Sequence, residues 1–177
     1  MKFVTYVENG KKAQRFGFVM EGHVVDVLRA AIFMNEENHE SEFLEIPSSL
    51  HACLEEWEPN LVKLQRLQDQ LANEHIADLI ANNQHVAQAE ADVQLLPPIT
   101  NPSTFRDFYA FEQHVRAARK LRGLEMHSDW FRLPIFYFSN PNALYGHGDD
   151  IPYPQNTEEL DFELEFAVSI ALSRIHI

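Results

Sequence analysis

Cysteine is all but missing from this chain. Cys53 stands alone, so no disulfide can form within the molecule, and a disulfide-stapled secreted framework is excluded. Cys53 lies in an apolar, helix-like stretch and reads as a small core residue rather than a reactive thiol. Basic residues are scarce too: 14 Lys and Arg stand against 27 Asp and Glu, for a net charge of −13. That balance argues against nucleic acid or an anionic membrane as a partner, since both select basic surfaces. No glycine-rich phosphate loop, internal repeat or zinc-type Cys/His spacing occurs. No apolar run approaches the roughly 18 residues of a membrane span. The first residues lack a signal-peptide pattern, so a cytoplasmic protein is expected. What is present is ample apolar material, 45% of 177 residues, enough for a packed core in one domain or two small ones.

The first hundred residues read as a scaffold. Residues 3–7, 15–20 and 23–27 look like strands, with turn signals at Asn9-Gly10 and Glu21-Gly22, and together they predict a small antiparallel meander. Residues 28–34 suit a short helix, and residues 35–45, acidic and polar, a loop or a solvated face. A helix is expected over residues 47–57, with Ser48 or Ser49 as its cap, and another from Pro59. Leu61, Leu64, Leu67 and Leu71 recur at helical spacing and should face a core. Residues 72–91 are polar and alanine-rich, with Ile76, Leu79 and Ile80 as a modest apolar face. His75 and His85 have no matching ligands and read as surface residues, and His23 is given no role. The adjacent prolines Pro97 and Pro98 break regular structure, and the boundary between two domains, 1–97 and 98–170, is placed there.

The chemistry falls in the second part. Residues 160–166, Leu-Asp-Phe-Glu-Leu-Glu-Phe, alternate apolar and acidic side chains with a period of two. As a strand, this segment puts Asp161, Glu163 and Glu165 on one face, their Cα atoms roughly 6.5–7 Å apart. A row of like charges destabilises a sheet face unless something offsets it. Two readings stay open: a half-buried strand with a solvated acidic face, or oxygen ligands for a hard divalent cation. Upstream, Thr104 and Asp107 match a capping box, and if the segment is helical Asp107 and His114 share a face about 10 Å apart along the axis. Arg116, Arg119, Lys120 and Arg122 are the one basic cluster, either a solvated helix face or a grip for a carboxylate-bearing substrate. Gly123 closes that helix. Residues 130–141 are aromatic and strand-like. Residues 146–150 form a loop that lacks calcium-hand spacing.

Three segments, residues 107–114 (DFYAFEQH), 134–141 (PIFYFSNP) and 160–165 (LDFELE), resemble the fumarylacetoacetate hydrolase family in order and spacing. The resemblance covers roughly residues 95–170, with a weaker likeness of the first hundred to a smaller N-terminal domain. It implies an α+β chain: a small N-terminal β-meander and helix domain, followed by the first part of a mixed β-roll catalytic domain of the fumarylacetoacetase type. It implies that Asp107, Glu163 and Glu165 ligate Mg2+ or Ca2+, that His114 is the general base, and that Tyr109 and Tyr137 contact substrate. A substrate-binding arginine is expected after the histidine, with Arg119 and Arg122 the candidates and Lys120 beside them.

The expected activity is hydrolysis of a C–C bond in a β-diketo acid such as an acylpyruvate or fumarylacetoacetate, of the kind met in the breakdown of aromatic compounds. Keto-acid decarboxylation or isomerisation on the same scaffold, and a non-catalytic α+β binding module, are the alternatives. The family's further aspartate ligand and lysine are not found in these residues. The chain is accordingly expected to be an N-terminal part, inactive alone, of a protein that is homodimeric at full length. Residues 171–177 read as a non-native tail, so His176 is not a ligand candidate.

Overall fold

The computed structural model describes residues 1–74, 76–81 and 85–170. It is an α+β structure. The chain divides into two compact units, one made of Met1–Thr100 with the chain from Tyr145 onward, the other of Asn101–Leu144.

The first unit is built on an antiparallel sheet. The expected meander forms as β1 (Lys2–Glu8), β2 (Arg15–Met20) and β3 (His23–Asp26). Glu21 and Gly22 both take positive φ, 49° and 74°, as a tight two-residue hairpin between right-twisted strands requires. The register sorts side chains by parity. Phe3 lies opposite Phe18, and Phe18 opposite Val25, on the face that packs against the helices. Val4, Tyr6, Val24 and Val93 form a smaller buried cluster on the other face.

Among the described residues of this unit four α-helices follow: α1 (Val27–Asn38), α2 (Leu50–Glu55), α3 (Trp57–Leu71) and α4 (Ile76–Ala81). Asp26 starts α1 by accepting the Arg29 amide hydrogen bond at 2.9 Å. Ser49 caps α2 through the Ala52 amide at 3.1 Å, as one of the two serines was expected to. Leu64, Leu67 and Leu71 are fully buried, each contributing about 1.5–3 kcal/mol on removal from water. Cys53 is buried as expected, and burial pushes its thiol up to about 11. Of the two forms expected for residues 35–45, a loop or a solvated face, the stretch takes the second: it is largely helical and mostly exposed. α1 runs on to Asn38, and Ser41–Glu45 form a 3-10 turn. That stretch is tied down by the buried Phe43 and by Glu42 and Glu45 pairing with Arg66 and Lys63 of α3.

Two short strands had no signal in the sequence. β4 (Ala87–Ala89) pairs with β3, and β5 (Val93–Leu96) pairs with β1, giving the order β4-β3-β2-β1-β5. Polar and small residues on β4 hide its alternation, and β5 ends directly before Pro97. Beneath the sheet, Asp26 is a buried hub. It accepts from the Tyr6 hydroxyl at 2.8 Å and from Arg15 Nε and Nη2 at 2.5 and 2.9 Å, besides capping α1. Burial first, and then the neighbouring Asp26 charge, raise the Tyr6 phenol well above its usual range.

Residues 160–170 correct an expectation. They are exposed and form no strand. Alternation describes which side chains would share a face, but a strand exists only where a neighbour completes its backbone hydrogen bonds. Without a ladder the extended backbone is solvated, and Phe162, Leu164 and Phe166 are at least 85% exposed.

Candidate functional site

The second unit is a strand–helix–strand module. β6 (Phe105–Phe108) pairs antiparallel with β7 (Phe136–Ser139), and between them lie α5 (Glu112–Leu121) and a 3-10 turn at Ser128–Phe131. Aromatic residues favour the strands, and Arg106 lies over the Phe138 ring at 4.1 Å. Asp107 sits on β6 directly opposite Tyr137 on β7, so their side chains share one face of the hairpin.

This placement corrects two expectations. Asp107 is not a helix cap, because the backbone is still paired as a strand there and α5 starts only after Phe111, which makes no side-chain cap. Asp107 and His114 therefore sit on different elements, and the shared helical face does not exist. A tight turn, with the Ala110 amide donating to Phe108 O at 2.8 Å, separates strand from helix. Residues 130–141 are likewise not one strand: a 3-10 turn occupies the start, and pairing begins at Phe136.

His114 lies in the first turn of α5 and is exposed; its neighbour Val115 is the buried residue that seats the helix. Tyr109 leaves β6 and meets the imidazole edge to face, with ring centroids 5.8 Å apart at 86°. Trp130, which no sequence signal singles out, donates its indole N–H to the Tyr109 carbonyl at 2.8 Å. No spacing rule points to that bond. The available signal is that a half-buried indole needs an acceptor.

Arg119 and Arg122 fall at the end of α5 and turn back onto carbonyls, Arg119 Nε donating to Glu125 O at 2.5 Å and Arg122 Nε to Ala118 O at 3.1 Å. Basic side chains are favourable at a helix C-terminus. Gly123 follows at φ 69° and ends the helix, its amide donating to Lys120 O, as expected. Arg116 pairs with Glu112 one turn back at 2.6 Å. The basic cluster thus serves its own helix first, and a substrate anion would have to compete for Arg119 and Arg122.

Glu163 and Glu165 belong to the other unit, in the exposed segment already described. Among the described residues no group of three or more His, Cys, Asp or Glu side chains could hold a metal ion. The 146–150 loop is committed elsewhere: Asp149 accepts from the Gly146 amide at 2.7 Å and from Gln94 at 3.0 Å. The described residues contain no helix long and apolar enough to cross a membrane.

Residues 103–174 match the family model described as Fumarylacetoacetate (FAA) hydrolase C-terminal. The match covers less than half of the chain, and it includes the whole of the module carrying Asp107, Tyr109, His114 and Tyr137. It also runs into residues 171–174 of the expected tail, which lies outside the described residues, as does His75. No curated protein matches the chain.

Proposed function

We propose, from the premise that this is a fumarylacetoacetate hydrolase-family protein, that the chain carries the base and substrate contacts of an enzyme that hydrolyses a C–C bond in a β-diketo acid such as an acylpyruvate. The family points to hydrolase- or isomerase-type activity in general. What most supports the finer reading is that a single small unit brings the Tyr109 ring against His114 and sets Asp107 beside Tyr137. In this reading the β6–β7 hairpin is the first part of a mixed β-roll, residues 98–170 its catalytic portion, and the full-length protein a cytoplasmic homodimer.

His114 takes a proton from water, and the resulting hydroxide adds to the substrate's distal carbonyl. The C–C bond then breaks, its electron pair leaving as the enolate of the keto acid. The imidazolium returns its proton to that carbon, so the products are a keto acid and a carboxylic acid, which ionises to its carboxylate by losing its proton to water. Tyr109 orients the imidazole, Tyr137 contacts the substrate, and Arg119 or Arg122 meets its carboxylate with a planar fork.

Family members generally use divalent metals. The ligands proposed here for Mg2+ or Ca2+ are Asp107, Glu163 and Glu165, hard oxygen donors of the type such ions prefer. Among the described residues no group of three or more such side chains could hold a metal ion, so no step of the proton chemistry is assigned to the ion.

Loss of the ultraviolet absorption of an acylpyruvate, with magnesium added to the full-length protein, tests the reading. His114→Ala should lower turnover by roughly 10²–10⁴ while leaving cation affinity unchanged. Glu163→Gln should weaken cation binding measured by calorimetry, and equal affinity in the two proteins would remove Glu163 from the ligand set. Product analysis separates hydrolysis from decarboxylation or isomerisation. Binding of the keto acid with no product at all would leave the chain a binding module.

A further inference from the structure

We infer that Trp130 is a positioning residue for His114, acting through the backbone of Tyr109. Tyr109 is pinned from both sides. Its amide donates to Ile135 O at 3.1 Å, just ahead of β7, and its carbonyl accepts the Trp130 indole N–H at 2.8 Å. With both groups bonded, the backbone at Tyr109 has little freedom left, and the direction of its side chain follows from the backbone. That side chain is the ring standing edge to face against the imidazole. Trp130 is itself held. It packs at 90° on Phe131, with centroids 4.9 Å apart, and the Phe131 ring lies 5.9 Å beneath the Arg116 guanidinium. Arg116 is fixed by Glu112 on the first turn of α5, the turn that carries His114. The 3-10 turn is therefore braced against the same helix whose histidine it orients.

A blander account makes the indole bond only the satisfaction of a half-buried donor. The two differ in what happens when the donor is removed but the shape is kept. In the tether account the Tyr109 ring shifts against His114, whereas in the other account nothing at His114 changes.

The consequence for turnover rests on His114 being the base, but the tether itself does not, so the test has two readouts on the full chain. The first is the ring-current displacement of the His114 imidazole protons in carbon–proton correlation spectra, assigned by His114→Ala and calibrated by Tyr109→Leu. Trp130→Phe, and separately a benzothienyl analogue of tryptophan at position 130 that replaces the N–H by sulfur, should each at least halve that displacement. The Val115 and Leu121 methyl signals should stay in place. The analogue keeps the inference falsifiable if Trp130→Phe does not fold. A wild-type His114 signal in the analogue overturns the tether, and so does a displacement shared equally by Val115 and Leu121, because Trp130 would then be general packing. The second readout is kinetic: in Trp130→Phe, kcat with an acylpyruvate should fall about tenfold with KM unchanged. The kinetic readout uses the full-length protein, in which a wild type that does not turn over the acylpyruvate counts against the proposed reaction, while the spectra still decide the tether.

Discussion

The two units distribute stability and chemistry unequally. The first buries aromatic, aliphatic and charged groups together: Tyr6, Phe18, Phe43, three leucines of α3 and the carboxylate of Asp26. The second buries Val115 alone, and leaves Tyr137 and Phe138 71% and 67% exposed. A two-stranded hairpin is marginal without something packed on it, and here the indole tether, the ring contacts and one buried valine do most of the ordering. The histidine and tyrosines proposed for base and substrate contacts stand on the thinner unit, while the buried charges of the thicker one serve its own fold. The same residue types therefore mean different things in the two places. Arg15 and Asp26 neutralise each other inside a core, whereas Arg119 and Asp107 face solvent on a surface that could meet a ligand.

The largest blow to this contrast falls on Asp26. Asp26→Ala should destabilise the first unit by about 3–5 kcal/mol, because it leaves a partly buried guanidinium and a buried phenol without their acceptor and removes the cap of α1. Urea unfolding followed by Trp57 fluorescence, in a Trp130→Phe background, reads that unit by itself. A loss below about 1 kcal/mol would show that the network is better solvated than its burial indicates.

How far the sequence reveals all this depends on the kind of information each part carries. The meander was legible because turn chemistry and alternation coincide at Glu21-Gly22, and the α3 stripe because Leu61, Leu64, Leu67 and Leu71 repeat at the helical period. β4 and β5 were not, since a three- or four-residue strand is defined by the partner it joins. The 160–166 segment shows the converse: a clear period of two that yields no strand, because pairing belongs to the neighbour and not to the pattern. Asp107 was open to two readings because Thr104-x-x-Asp fits a capping box. The aromatic residues of 136–138 decide the matter by pairing with 105–108, information that lies 30 residues away. Trp130 was illegible because its bond joins a side chain to a backbone carbonyl, and carbonyls leave no mark in a sequence.

A smaller effect sharpens the comparison through pH. Burial alone would raise Glu8, but its hydrogen bond and charge pairing with Arg29, at 2.5 Å, and the bond from Gln88 bring it below its ordinary value of 4.5. A carboxylate lowered in the folded state contributes stability that is fully present above that ordinary value and is lost as pH falls through the folded one. The first unit should therefore weaken from about pH 4.5 downward. Glu8→Gln should cost about 1–2 kcal/mol at pH 7, and the gap from wild type should narrow as pH falls below about 4.5 and folded Glu8 takes up its proton. A gap that stays constant across that range would mean the pair contributes packing and not charge.

The smallest expected change in stability is at His114. The residue is exposed, and the seat of its helix is Val115, not the imidazole. His114→Ala gives up an edge-to-face contact worth about 0.5–1.5 kcal/mol, and it gains a few tenths from the better helix propensity of alanine. Unfolding of the second unit, followed by Trp130 fluorescence in a Trp57→Phe background, should move by no more than about 1 kcal/mol. Against that stands the roughly 10²–10⁴ loss of turnover expected of a missing base. A mutation that barely touches the fold and removes most of the activity is the signature of a group kept for chemistry. If His114→Ala instead unfolds the helix while Asp26→Ala leaves the first unit intact, the division of labour between the units is the reverse of the one argued from their burial.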